Sequence, residues 1–237
     1  MICVITTGYA EGEVLHAVDL EFPPFMYLKN GEPAGLSVEL LNAMLLGLEG
    51  IEVKIDFCPM KRALKMVANE KNSFKLLLTR NPKREKSFKW VGPTFPRIIA
   101  LYKLKSRPEL QINSISDVKY YKVGCGSGYA AIGDLLKAGV SRSQIEEVYE
   151  DRLTVKMLFR KRIDFIANNN LATAYLLREE GYSFQDVRQS LILEDRYPYY
   201  YGFNKGTDDK IIRQLQQSLD ILRQKGTLER LIRNYLK

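Results

Sequence analysis

Between Leu78 and Phe95 the chain reads LTRNPKREKSFKWVGPTF, with five lysines or arginines, one glutamate and the single tryptophan, Trp90. Three uses of such a segment compete: a nucleic-acid surface, a solvated face, or a pocket that grips an anion. Its aromatics fall beside apolar residues rather than at a stacking interval, and no DNA- or RNA-binding motif accompanies them. Nucleic acid is therefore not the expected partner. An anion pocket needs only one or two arginines, because a planar guanidinium gives a carboxylate two parallel hydrogen bonds that lysine cannot reproduce.

A second candidate is the turn GCGSGY, residues 124–129. It fits G-x-G, but the third glycine of a dinucleotide fingerprint falls on Tyr129, and no Gly-Lys-Ser/Thr follows. The expectation is a turn that presents N–H groups, Ser127 and Tyr129 to a polar ligand. Catalytic material is scarce. The one histidine, His16, lies in a predicted strand and is expected to be buried there; no HExxH or Cys–His cluster is present. Glu21, Glu194 and Asp195 stand near strand ends, with nothing in the sequence to bring two of them together. No enzyme activity, metal or cofactor is implied. Cys3, Cys58 and Cys125 are too scattered for a disulfide framework, and at least two of them are expected to be packed thiols.

The elements that must position these groups alternate between two periodicities. Val14–Leu20, 51–57, 74–79 and 98–104 read as strands, and a helix after Ser37 is predicted to run to about Leu48, with Ser37 as its cap. Pro59 suits the first turn of a helix to Asn69. The pattern restarts with a strand at 120–124 and a helix to Ala138. A helix from Asp151, a strand at 163–167 and a helix from Asn170 to Glu180 follow. Residues 191–195 and 197–204 are extended, Thr207 opens a long helix, and Gly226 separates it from a last one. At 237 residues, 46% apolar and 27% charged, the chain is globular, and two βαβ patterns fit two lobes better than one sheet. The net charge of +8 is local: residues 61–107 hold 14 Lys or Arg against Glu70 and Glu85, or +12, leaving 22 basic and 26 acidic residues, or −4, elsewhere. Residues 1–10, ending Gly8-Tyr9-Ala10, read as the remnant of a clipped secretion signal.

Taken in order, DLEFPPFMYLKNGEPAGLSVELLNAM (19–44), CPMKRAL (58–64), TRNPKREKSFKWVGPTF (79–95), KVGCGSGY (122–129), RKRIDFIANNN (160–170) and the closing GTLERLIRNYLK resemble the bacterial extracellular solute-binding proteins of the polar-amino-acid class, family 3. The resemblance runs from about Val14 to Lys237. It implies an α/β fold of two Rossmann-like lobes joined by two crossing segments, periplasmic-binding-protein-like (type II). Lobe 1 would comprise 11–97 plus 199–237, and lobe 2 residues 98–198. It also implies a periplasmic, monomeric protein that captures a small anionic or zwitterionic, carboxylate-bearing solute for an ABC permease. A ligand-sensing module for a membrane receptor and a cyclohexadienyl-dehydratase-like enzyme are the alternatives.

Residue by residue, the resemblance places Phe22 where an aromatic stacks on the ligand and Thr79 where a hydroxyl and amide meet its carboxylate. Arg84 takes the place of the clamping arginine, Arg62 lines the same cleft, and Gly128, Tyr129 and Ala130 form the turn of the second lobe. Asn169 falls nearest the acid that holds a ligand ammonium in the family, and a neutral amide cannot supply that charge. Pro59-Met60 replaces the usual Pro-Trp, and Asn81 a threonine.

Overall fold

The computed structural model describes residues 13–127 and 129–236; the signal-remnant segment and Gly128 lie outside them. In chain order the strands and helices are β1 (Glu13–Asp19), β2 (Tyr27–Lys29), β3 (Glu32–Ala34), α1 (Leu36–Leu45), β4 (Ile51–Phe57), α2 (Met60–Asn69), β5 (Ser73–Thr79), β6 (Lys89–Val91) and β7 (Ile99–Leu104). Then come β8 (Val123–Gly126), α3 (Ala130–Lys137), β9 (Ile145–Val148), α4 (Arg152–Phe159), β10 (Phe165–Asn169), α5 (Asn170–Glu179), β11 (Val187–Glu194), β12 (Tyr199–Phe203), α6 (Asp209–Gln224) and α7 (Thr227–Leu236).

These strands build two five-stranded sheets, ordered β4-β1-β5-β12-β6 and β11-β7-β10-β8-β9, beside the small β2-β3 hairpin. In the first sheet β4, β1 and β5 are parallel, and β12 pairs antiparallel with β5 and β6. In the second, β9, β8 and β10 are parallel, and β7 runs antiparallel to β10 and β11. The chain therefore crosses between sheets twice, over residues 92–98 and again over 195–198. This is the two-lobe α/β architecture, with mixed rather than purely parallel sheets.

Burial follows the periodicity. β4, at a sheet edge, alternates half-buried Ile51, Val53, Ile55 and Phe57 with exposed Glu52, Lys54 and Asp56. β7 is buried throughout because the second sheet is covered on both faces. Leu101 joins Phe165, Val123 and Leu135 of α3 on one side, while Tyr102 joins Ile166, Leu158 of α4 and Leu177 of α5 on the other. In the first lobe Leu15, Phe74, Leu76, Tyr201 and Phe203 pack with Leu40, Met44, Leu215 and Leu219 from α1 and α6. Between β1 and β5 lies a fully buried ion pair, Lys75–Asp19.

Some local expectations shift. Ser37 is not the cap of α1 but its second residue, with its hydroxyl donating to the Leu76 carbonyl at 3.4 Å. Gly35 takes the cap position at φ 111°, and a Cβ there would stand 2.7 Å from the carbonyl oxygens of Pro24 and Phe25. Asp208, not Thr207, caps α6, accepting from the Lys210 N–H at 2.7 Å. The strand read at 120–124 begins at Val123, because residues 115–120 coil into a 3-10 turn. His16 is only half-buried; its Nε2 meets Asp56 Oδ2 at 2.5 Å. Cys58 and Cys125 are free thiols, Cys125 buried.

Candidate ligand-binding cleft

In an open α/β sheet the C-terminal ends of parallel strands leave a crevice, and here two sheets present such ends to one another. β1 ends in Asp19-Leu20, β5 in Leu77–Thr79, β8 leads to Ser127, and β10 carries Asn168. Leu20, Leu77, Thr79, Ser127 and Asn168 all line one cleft of about 470 Å³, together with Arg97 of the first crossing and Ile99 and Tyr199, the first residues of β7 and β12. That volume suits a small molecule. A larger hollow of about 690 Å³ borders β11, but it is lined only by residues of the second lobe and opens along a sheet edge.

The basic segment after β5 sorts by environment. Arg80 faces outward, holding Glu85 by two bonds of 2.8 and 2.6 Å and lying over Trp90 and Tyr200 at 5.6 and 5.1 Å. Lys89 donates to the Thr207 carbonyl and pairs with Asp209. Lys83 and Lys86 are exposed. Arg84 turns into the cleft. Asn81 sets this turn: its carbonyl and Oδ1 both accept from the Arg84 N–H, at 3.0 and 3.1 Å. The Arg84 guanidinium reaches the Thr79 carbonyl at 3.4 Å. Burial, and next the positive charge of Arg97, hold its pKa below the ordinary arginine value.

Phe22 lines the cleft from the turn after β1. That turn is stitched to α1 through Leu36 N–H to the Pro24 carbonyl and Ser37 N–H to the Phe25 carbonyl, at 2.9 and 2.7 Å. Only a glycine at position 35 permits so close an approach. The Phe22 ring stacks on Phe25 and meets Tyr129 edge-on, both at 5.5 Å between centroids. The second contact crosses from one lobe to the other.

Gly124 and Gly126 of the GCGSGY turn serve packing. A Cβ on Gly124 would lie 2.6 Å from Ile163, and one on Gly126 would collide with Asp151 Oδ1 and come within 2.7 Å of the Tyr129 ring. The Ser127 N–H is taken by the Val148 carbonyl at 2.7 Å, and that of Tyr129 by the Gly126 carbonyl at 3.2 Å. Tyr129 donates its hydroxyl to Asp151. Asp151 sits at the cap position of α4, yet its carboxylate goes to Tyr129 instead of capping. Burial pushes its pKa up, partly offset by that hydrogen bond.

Of the residues picked from sequence, Phe22, Thr79, Arg84 and Tyr129 line the cleft. Arg62 does not: it is exposed on α2, while Met60, two residues earlier, is the side chain at the cleft. Asn169 does not either. It is fully buried and caps α5, its Oδ1 accepting from Leu171 N–H at 2.9 Å and Ala172 N–H at 3.4 Å. Asn168 faces the cleft in its place. Ala130 opens α3, and the neighbouring side chain of Ala131 borders the cleft.

Residues 14–237 match the family described as bacterial extracellular solute-binding proteins, family 3. The chain belongs to that family. Among solved structures, an ancestral cationic amino acid solute-binding protein superposes with a TM-score of 0.78 at 18% identity, covering 94% of this chain and 96% of its own. A histidine kinase sensor domain with similarity to periplasmic binding proteins gives 0.75 at 17%, covering 95% and 97%. Substrate-binding domain 2 of Lactococcus lactis GlnP, in open conformation, gives 0.72 at 18%, covering 97% of each. A search of curated proteins gave no match.

Sequence reading alone missed three polar cleft residues of this family 3 protein. Arg97 is only 8% exposed, sits on the first crossing, and acts electrostatically on Arg84, Tyr199 and Glu194. Tyr199 starts the second crossing strand, with its pKa pushed up to about 12 by burial against the lowering charge of Arg97. Asn168 is the third. A basic residue shortly before a buried strand was the one available signal for Arg97, and it was lost among 14 cations in that region.

Proposed function

We propose that the protein is a solute-binding component that captures a small anionic or zwitterionic, amino-acid-like molecule between its lobes and releases it to an ABC permease. It works outside the cytoplasmic membrane, in the periplasm, as a monomer and without catalysis. The lobes divide at 97/98 and 198/199, so Arg97 and Tyr199 flank the hinge. The observation that carries this reading is Arg84: a guanidinium turned into the cleft beside Thr79, with Phe22 and Tyr129 on the walls.

Held there, a ligand carboxylate gains two parallel charge-assisted hydrogen bonds, each contributing about 1.5–3 kcal/mol. Contacts to both lobes exist only when the cleft is shut, so ligand shifts the population toward the closed form. Binding without turnover fits the acids nearby: Asp151 is bonded to Tyr129, and Asp19 to Lys75. Arg84→Ala is expected to abolish solute binding in calorimetry with an unchanged circular dichroism spectrum; unchanged affinity removes Arg84 from the site. A sensing role is the second reading, favoured by the similarity to a histidine kinase sensor domain. Solute uptake by vesicles carrying a cognate permease separates the two.

A further inference from the structure

Charge and hydrogen-bonding capacity around the cleft are one-sided. Arg84 and Arg97 both line it, and no Asp or Glu among the described residues does. The carboxylates behind the walls are committed elsewhere. Asp19 takes Lys75 and the N–H groups of Leu20 and Leu77. Asp151 takes the Tyr129 hydroxyl, and Glu194 the side chain and N–H of Arg196. Glu21 accepts from the Leu28 N–H.

The neutral groups lean the same way. Asn168 Oδ1 already accepts from the Asn169 N–H at 2.7 Å, which orients the amide and leaves both hydrogens of its NH2 for a ligand. Burial pushes the Tyr199 pKa up to about 12, so its hydroxyl stays protonated and can donate. The N-terminal turn of α3 also borders the cleft through Ala131, adding the positive end of a helix dipole. A ligand ammonium would meet two cations and no charged acceptor among the described residues, whereas a second carboxylate would find partners.

We propose, resting on the solute-binding reading above, that the cleft selects a small dicarboxylate without an ammonium group over an α-amino acid. One carboxylate meets Arg84 and Thr79, the other meets Arg97 and Asn168. The carbon chain between them lies against Phe22, Leu77 and Ile99.

Calorimetry with glutarate, glutamate and pentanoate tests this directly, since glutamate adds only an ammonium to glutarate and pentanoate lacks only one carboxylate. Succinate and adipate bracket the length. The best dicarboxylate is expected to bind at least tenfold tighter than glutamate and pentanoate. Arg97→Gln should bring glutarate and pentanoate within threefold of each other; if that variant does not fold, the wild-type ligand series decides alone. Glutamate, glutamine or arginine binding as tightly as the dicarboxylates overturns the inference while leaving solute capture standing. Pentanoate matching glutarate overturns it too, by showing a single-charge site. If neither the dicarboxylates nor the twenty amino acids bind, the solute-binding reading falls with it.

Discussion

Arg80 and Arg84 stand four residues apart in one loop and have opposite fates. Arg80 is neutralised by Glu85 and covered by aromatic rings on the outer wall, while Arg84 enters a cleft that no Asp or Glu among the described residues lines. The difference comes from the Asn81 turn, a local feature, and from Trp90 and Tyr200, which reach the loop only through sheet pairing. At the same scale, Asp151 is a buried carboxyl whose folded-state pKa lies above its ordinary 3.8, because burial outweighs the Tyr129 hydrogen bond. A raised carboxyl pKa means that the fold resists ionisation. Stability is unpenalised below the ordinary value and falls as pH rises through the raised one. Asp151→Asn, which keeps an acceptor for Tyr129, should therefore be more stable than wild type at neutral pH, the gain shrinking toward zero below about pH 4. Urea midpoints across that range check it; a gain independent of pH assigns the effect to something other than the carboxyl.

β10 and α5 meet at three consecutive asparagines, and the junction divides their tasks. Successive side chains on a strand point to opposite faces. Asn168 therefore looks into the cleft, and Asn169 looks inward to the first turn of α5. The Asn169 Nδ2 has no partner among the described residues, so its contribution is the pair of bonds accepted by Oδ1. Asn169→Ala should cost about 1 kcal/mol of stability, within the usual 0.5–2 for a lost cap, and change ligand affinity less than twofold. A stability loss with intact binding is what denaturation and calorimetry together should show; a large affinity loss would return Asn169 to the binding wall. The same logic separates Met60 from Arg62. Two residues along a helix is a rotation of about 200°, so when one side chain reaches the cleft the other faces water.

Across the whole molecule, the lobes touch through ring pairs as well as through the crossings. Phe22–Tyr129 lies at the cleft, and Tyr27–Tyr175 joins the β2-β3 hairpin to α5 with centroids 5.8 Å apart. Ligand bridging Arg84 on one lobe and Asn168 on the other should favour the closed arrangement. Small-angle scattering should show the radius of gyration falling when ligand is added to wild type, and staying constant for Arg84→Ala. Ligand at 100 times its Kd should also raise unfolding stability by about 2.7 kcal/mol. Stabilisation without compaction would mean that capture occurs in an already closed protein.

From the sequence alone came the alternation of strands and helices, the restart of the pattern after Leu104, and the local concentration of positive charge. Those depend on periodicity and turn residues, which act over a few positions along the chain. The ordered motifs also pointed to Phe22, Thr79, Arg84 and Tyr129, all of which border the cleft. Tertiary structure decided the facing of close neighbours, exchanging Asn169 for Asn168 and Arg62 for Met60. It also brought Arg97 and Tyr199 together from positions about a hundred residues apart. A one-residue step reverses a strand side chain, and two crossings juxtapose segments whose distance no local pattern encodes; both are settled only when the sheets pack.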